Sequence, residues 1–81
     1  MTGFLYVKSL GVDTCDNKFY AYCQVVDAYD TPVKPLYLHH DGQWRPNTTN
    51  EAGHYTGYYE TRDEAERALQ TAQLPYPEQG H

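Results

Sequence analysis

The sequence contains no isoleucine, and leucine, valine and phenylalanine together supply only 13 of its 81 residues. A chain this poor in aliphatic side chains cannot build a core from them alone, because too little apolar surface leaves water to offset the entropy of ordering. Cations are also scarce: six lysines and arginines stand against eleven acidic residues, a formal charge of −5. That balance disfavours nucleic acid as a partner, since phosphate-binding surfaces depend on clustered positive charge. The two cysteines, Cys15 and Cys23, are too few for a disulfide framework and stand at neither metal-knuckle nor redox-motif spacing. The first residues carry neither a basic segment nor a long apolar one, and no run approaches the roughly 18 apolar residues of a membrane span. The expected location is therefore the cytoplasm, with no membrane partner and with reduced thiols. Asn47-Thr48-Thr49 matches a glycosylation acceptor pattern only by chance in that setting.

Aromatic residues compensate for the missing aliphatics. Nine tyrosines, two phenylalanines and one tryptophan are present, and each ring can bury about 150–250 Å². A thin core can therefore be built from rings. Nine phenols cannot all be buried with their hydroxyls satisfied, so several are expected at the surface.

The pattern along the chain predicts an α+β domain: a small antiparallel sheet of four or five strands with one C-terminal helix packed on one face. Residues 3–10 form an apolar and aromatic run closed by Gly11, and residues 12–17 read as a loop. Residues 18–27 read as a longer strand, with Phe19, Ala21, Cys23 and Val25 on one face and Tyr20, Tyr22, Gln24 and Val26 on the other. Residues 30–35 carry two prolines and form a turn. Residues 36–40 and 43–45 flank Asp41-Gly42, a type I′ hairpin signal, and residues 54–60 read as a last strand. Thr61-Arg62-Asp63-Glu64 is a capping box opening a helix whose apolar stripe is Ala65, Ala68, Leu69 and Ala72. An Asp63–Arg67 ion pair is expected on it. Residues 1–74 thus make one domain, and 75–81 an extended, fraying C-terminal tail.

Chemistry-bearing motifs are few. Glycine-rich phosphate loops, serine elbows and metalloprotease helices are missing, and no carboxylate pair stands at recognisable acid/base spacing. The chain is expected not to be an enzyme and to use no cofactor. His39, His40, Asp41 and His54 are the only cluster with metal-ligand chemistry, but adjacent strand residues point to opposite faces, so His39 and His40 cannot both face one ion. No metal is expected. The tyrosines are the informative excess, since Tyr and Trp are enriched at protein interfaces. The expected contact surface is Tyr20, Tyr22, Tyr37, Trp44, Tyr58 and Tyr59, on the face the helix leaves open. Alternatives are a nucleotide-binding protein using Arg45, Arg62 or Lys34, and a self-associating protein whose exposed strand edges form a homodimer.

Asp41-Gly-Gln-Trp44, a polar gap and then Gly57-Tyr-Tyr-Glu-Thr-Arg-Asp-Glu-Ala-Glu-Arg-Ala-Leu69 resemble the strand-to-helix ending of short phage and prophage accessory proteins. The likeness covers about a third of the chain. That group includes anti-CRISPR and related anti-defence proteins, and the resemblance implies a small inhibitor that occludes a host protein or sequesters a nucleotide. The same ending is similar to the sheet-plus-helix DNA-binding modules of phage integrases, which use basic strand residues. Here Lys8, Lys18 and Arg45 stand amid net negative charge, which departs from that pattern.

Overall fold

The computed structural model describes residues 4–78. In chain order its elements are β1 (Leu5–Cys15), β2 (Lys18–Asp27), β3 (Leu36–Leu38), β4 (Trp44–Arg45) and α1 (Arg62–Thr71). The strands form one four-stranded antiparallel sheet in the order β1-β2-β3-β4, and α1 lies across one face. This is the expected α+β architecture.

The first hairpin is longer than the sequence pattern suggested. Gly11 does not end β1; the strand runs on to Cys15 and turns through Asp16 and Asn17, both at positive φ (52° and 65°). Two residues in the left-handed region between paired Cys15 and Lys18 make a type I′ turn, which short polar side chains tolerate. The Asp41-Gly42 hairpin also forms, by a different turn. Only Gly42 has positive φ (84°), its amide donates to the His39 carbonyl (2.9 Å), and the His39 amide donates to Gln43 (2.9 Å). That is a three-residue loop closed by a glycine bulge.

A bulge between Val7 and Ser9 resets the alternation of β1. Val7 therefore faces α1 beside Cys23 and Val25, whereas Ser9 stands opposite Gln24 on the other face. The α1 face carries two clusters. Val7, Cys23 and Val25 are covered by Leu5, Leu36, Leu74 and Tyr76, and Ala21, Leu38 and Ala65 are covered by Phe19, Tyr59, Ala68 and Leu69. Trp44 packs against both and joins them.

Residues 54–60 are not a strand. Gly53 has φ 85°, and Asn50 Oδ1 accepts the amides of Ala52 and His54 (3.0 Å each), curling the chain. Only Tyr59 pairs with the sheet, through reciprocal bonds with Phe19 (2.6 and 2.9 Å). At the start of α1 the Thr61 hydroxyl accepts the Glu64 amide (3.1 Å) as the capping box requires. The Glu64 carboxylate accepts from the Thr61 hydroxyl (3.2 Å) instead of reaching its amide. Among the described residues the ion pairs are Lys8–Asp30, Lys18–Glu60 and Arg45–Asp41. Asp63–Arg67 is not one of them, because holding two long exposed side chains together costs more rotamer freedom than a screened attraction returns. Beyond the helix the chain is tied down: Leu74 and Tyr76 pack on the first cluster and the Val7 amide donates to Pro77 O (2.8 Å). Residues 79–81 of the expected tail lie outside the described residues.

Candidate functional site

The sheet face opposite α1 is floored by tyrosine because β2 places Tyr20 and Tyr22 there, alternating with buried Ala21 and Cys23. Antiparallel register brings Tyr37 of β3 beside Tyr22. The loop after β4 then carries Tyr58 over the same face. Tyr20 is the hub: its ring centroid lies 6.2 Å from Tyr22, 5.3 Å from Tyr37 and 6.0 Å from Tyr58. The last two contacts are edge-to-face, at 73° and 82°, a favoured arrangement for aromatic quadrupoles. Tyr55, 69% exposed, extends the cluster through Tyr58 at 5.9 Å.

Glycine makes room for this packing. Gly11 is paired with Tyr22, and a Cβ at Gly11 would lie 2.7 Å from the Tyr22 hydroxyl, so that ring lies across bare backbone. The loop is held by buried His39. Its Nε2 donates to the Asn47 carbonyl (2.7 Å), which leaves Nδ1 to accept from the Thr56 hydroxyl (2.6 Å). The His40 amide donates to Thr56 O (3.0 Å), and His40 Nε2 donates to the Tyr58 carbonyl, which sets where Tyr58 stands. Tyr58 borders three open grooves, the smallest of them, about 190 Å³, shared with Tyr59, His40 and Glu64. One of about 330 Å³ is lined by Tyr20, Tyr37, Tyr58, Cys15, Pro46, Asn47 and Thr48. Another, about 350 Å³, is lined by Cys15, Asp16, Lys18, Tyr55 and Tyr58.

Of the six expected contact residues, the structure brings together Tyr20, Tyr22, Tyr37 and Tyr58. Trp44 and Tyr59 lie on the opposite face. Trp44 is paired with Leu38, packs in the core and donates its indole N–H to Gln73 O (2.9 Å). Tyr59 packs with Ala21, Leu38 and Ala65 and donates its hydroxyl to Leu38 O (3.3 Å). Tyr59 also borders a further groove, about 380 Å³, between the β3–β4 turn and Ala68 and Ala72 of α1. Tyr58 and Tyr59 part company because neighbouring residues here point to opposite sides of the sheet. Sequence reasoning missed Tyr55 and Cys15 as groove walls; the Asp16-Asn17 turn signal, had it been used, would have placed Cys15 beside Lys18.

Burial and charge shift a few of the titratable groups. Burial, then the Asp13 carboxylate, raises the Tyr20 hydroxyl, and burial, then Asp41, raises Tyr59. Burial pushes the Cys23 thiol up to about 11, against a smaller lowering from the Leu36 backbone. The Arg45 guanidinium, then the Gln43 amide, hold Asp41 down to about 2. Each of these shifts moves the group away from the range useful for proton transfer. The suggested metal cluster is also committed elsewhere: both His39 ring nitrogens are bonded, and Asp41 pairs with Arg45 through both oxygens (3.2 and 3.0 Å). Among the described residues no three His, Cys, Asp or Glu side chains gather as a metal site, and no helix is long and apolar enough to cross a membrane. Comparison with protein-family models, with curated proteins and with solved structures gives no match.

Proposed function

We propose that this protein is a non-catalytic binding module that recognises a protein partner through the tyrosine face of its sheet. The observation that carries this reading is the mutual packing of Tyr20, Tyr22, Tyr37 and Tyr58 on the face that α1 leaves uncovered. Rings locked against one another offer large contact area with little rotamer entropy left to lose on association. Stoichiometric inhibition of a host bacterial protein in the cytoplasm is the form of this function that the resemblance to phage accessory proteins supports. The nucleotide-binding alternative has less support. Arg45 is held by Asp41, and Arg62 lies over the Phe19 ring at 5.5 Å, on the other side of the sheet.

The test is affinity capture from bacterial lysate with the tagged chain, read by mass spectrometry. One dominant partner at near-equal stoichiometry is expected, with capture lost in Tyr22→Ala and Tyr58→Ala variants whose thermal melts confirm the fold. Capture that survives both substitutions would sink the proposal.

Self-association is a second reading with its own observation. The two-residue turn fixes the hydrogen-bonding groups of Cys15, Asp13, Gly11 and Ser9 toward β2, so those of Leu10, Val12 and Thr14 face outward. Among the described residues Arg62 donates to Val12 O (3.5 Å) and the Thr14 amide donates to Asp13 Oδ1 (2.8 Å), so the edge is only partly free. Such an edge can pair with a second copy. A solution mass equal to one chain by light scattering removes that reading.

A further inference from the structure

The groove beside Tyr20 has a chemical preference that its shape and charge define. Three tyrosine rings share it, two of them nearly perpendicular to the third, and no lysine or arginine lines it. Aromatic faces are the negative part of the ring quadrupole and attract cations within about 6 Å of the centroid. The surrounding charge acts in the same sense. Asp13 stands directly across from Tyr20 in the β1–β2 register, Asp16 sits at the adjoining turn, and the chain carries −5 overall. Two cations on neighbouring positions are already paired. Arg45, across from Tyr37, is turned to Asp41 through both terminal nitrogens, and Lys18, in the neighbouring groove, pairs with Glu60 at 3.2 Å.

We propose that the groove formed by Tyr20, Tyr37 and Tyr58 receives the guanidinium of an arginine presented by the partner protein. The inference rests on the reading of this face as a protein-binding surface. Arginine is chosen over lysine because its planar, weakly hydrated guanidinium stacks on aromatic faces with a smaller loss of hydration. At the groove wall the Asn47 carbonyl and side-chain oxygens and the Thr48 carbonyl already accept bonds within the loop, so the acceptor this wall offers to its N–H groups is the Thr48 hydroxyl.

The experiment is a titration of the full chain with N-acetyl-arginine amide and, separately, with its neutral isostere N-acetyl-citrulline amide at equal ionic strength, followed by NMR of the tyrosine ring protons. The expected result is saturable shifts at Tyr20, Tyr37 and Tyr58, with the arginine probe bound roughly three- to thirtyfold more tightly than citrulline, the factor one cation–π contact supplies. Tyr58→Leu should remove the preference and Tyr58→Phe should keep it, since the ring rather than the hydroxyl holds the charge. Equal behaviour of the two probes, or no saturable shift with either, overturns the inference without reference to any variant. If lysate capture depends on Tyr58 while the two probes behave alike, the binding surface stands and the arginine assignment falls. If the arginine preference is found but no protein is captured, the cation site stands and the protein-binding reading beneath it falls.

Discussion

Asp41 bonds in two directions at the tip of the second hairpin: it accepts the Gln43 amide (3.0 Å) and both terminal nitrogens of Arg45. Those bonds favour the ionised form, so the folded carboxyl sits at about 2, below the ordinary value of about 3.9. A depressed carboxyl contributes stability that is present above about pH 4 and is lost as pH falls through about 2. The carboxylate is open to solvent, so the contribution is small. The carboxyl carbon of Asp41 should titrate with its midpoint near 2, and Arg45→Gln should return it toward about 3.9. An unchanged midpoint in the variant would remove Arg45 as the cause. The Asp-Gly turn was legible in the sequence, but the Asp41–Arg45 pair was not: whether residues four apart meet across a hairpin depends on its loop length, which the dipeptide alone left open. Similarly, strand alternation separated His39 from His40, yet the bonds that bury His39 come from Asn47 and Thr56, far along the chain.

Among the elements, the segment from Pro46 to Tyr58 departs most from its sequence pattern. The tyrosines of residues 54–60 suggested a strand, but Gly53 and the Asn50 side chain fold the segment into a loop whose backbone bonds to His40, beyond the end of β3, and to itself. Gly57 is where this loop closes. It is buried, its amide donates to Thr48 O (2.9 Å), and a Cβ there would lie 2.9 Å from Thr48 Cα and 3.2 Å from His39 Nε2. Gly57→Ala should therefore destabilise the fold by about 1–3 kcal/mol through overpacking, lowering the melting temperature by about 4–8 °C for each kcal/mol. A melt within about 1 °C of the parent would mean that the Thr48 backbone yields freely. The helix, by contrast, was legible to within a residue at its start, because capping chemistry and a 3.6-residue stripe are local properties.

At the scale of the whole molecule, the chain closes on itself through its end. Tyr76 and Leu74 cover the cluster of Val7, Cys23 and Val25, and Val7 donates to Pro77, so residues 74–78 complete the core. Tyr76→Ala should cost roughly 1–3 kcal/mol in urea unfolding, the range for truncating a partly buried ring. Thiol labelling gives a second readout. Cys15 is exposed and Cys23 is fully buried with its thiol pushed up to about 11, so the native protein should label promptly at Cys15 and at Cys23 only on opening. Tyr76→Ala should speed Cys23 labelling and leave Cys15 unchanged; equal Cys23 rates in the two proteins would show that this end is no part of the core.

Composition and local pattern determined the class of the protein. The core expected from rings is instead centred on small and aliphatic side chains with partly buried rings covering them, but β2 was readable from its alternation, and Thr61 marks the helix start. Tertiary structure alone decided which tyrosines share a surface. Tyr58 and Tyr59 are neighbours in sequence, yet Tyr58 joins Tyr20 and Tyr37 on the open face while Tyr59 enters the core beneath α1. Trp44, expected at the contact surface, is a core anchor because its pairing with Leu38 turns it toward the helix. The physical reason is that a side chain's face follows from strand register and from where a loop crosses the sheet, and both are set by contacts between residues far apart in the chain.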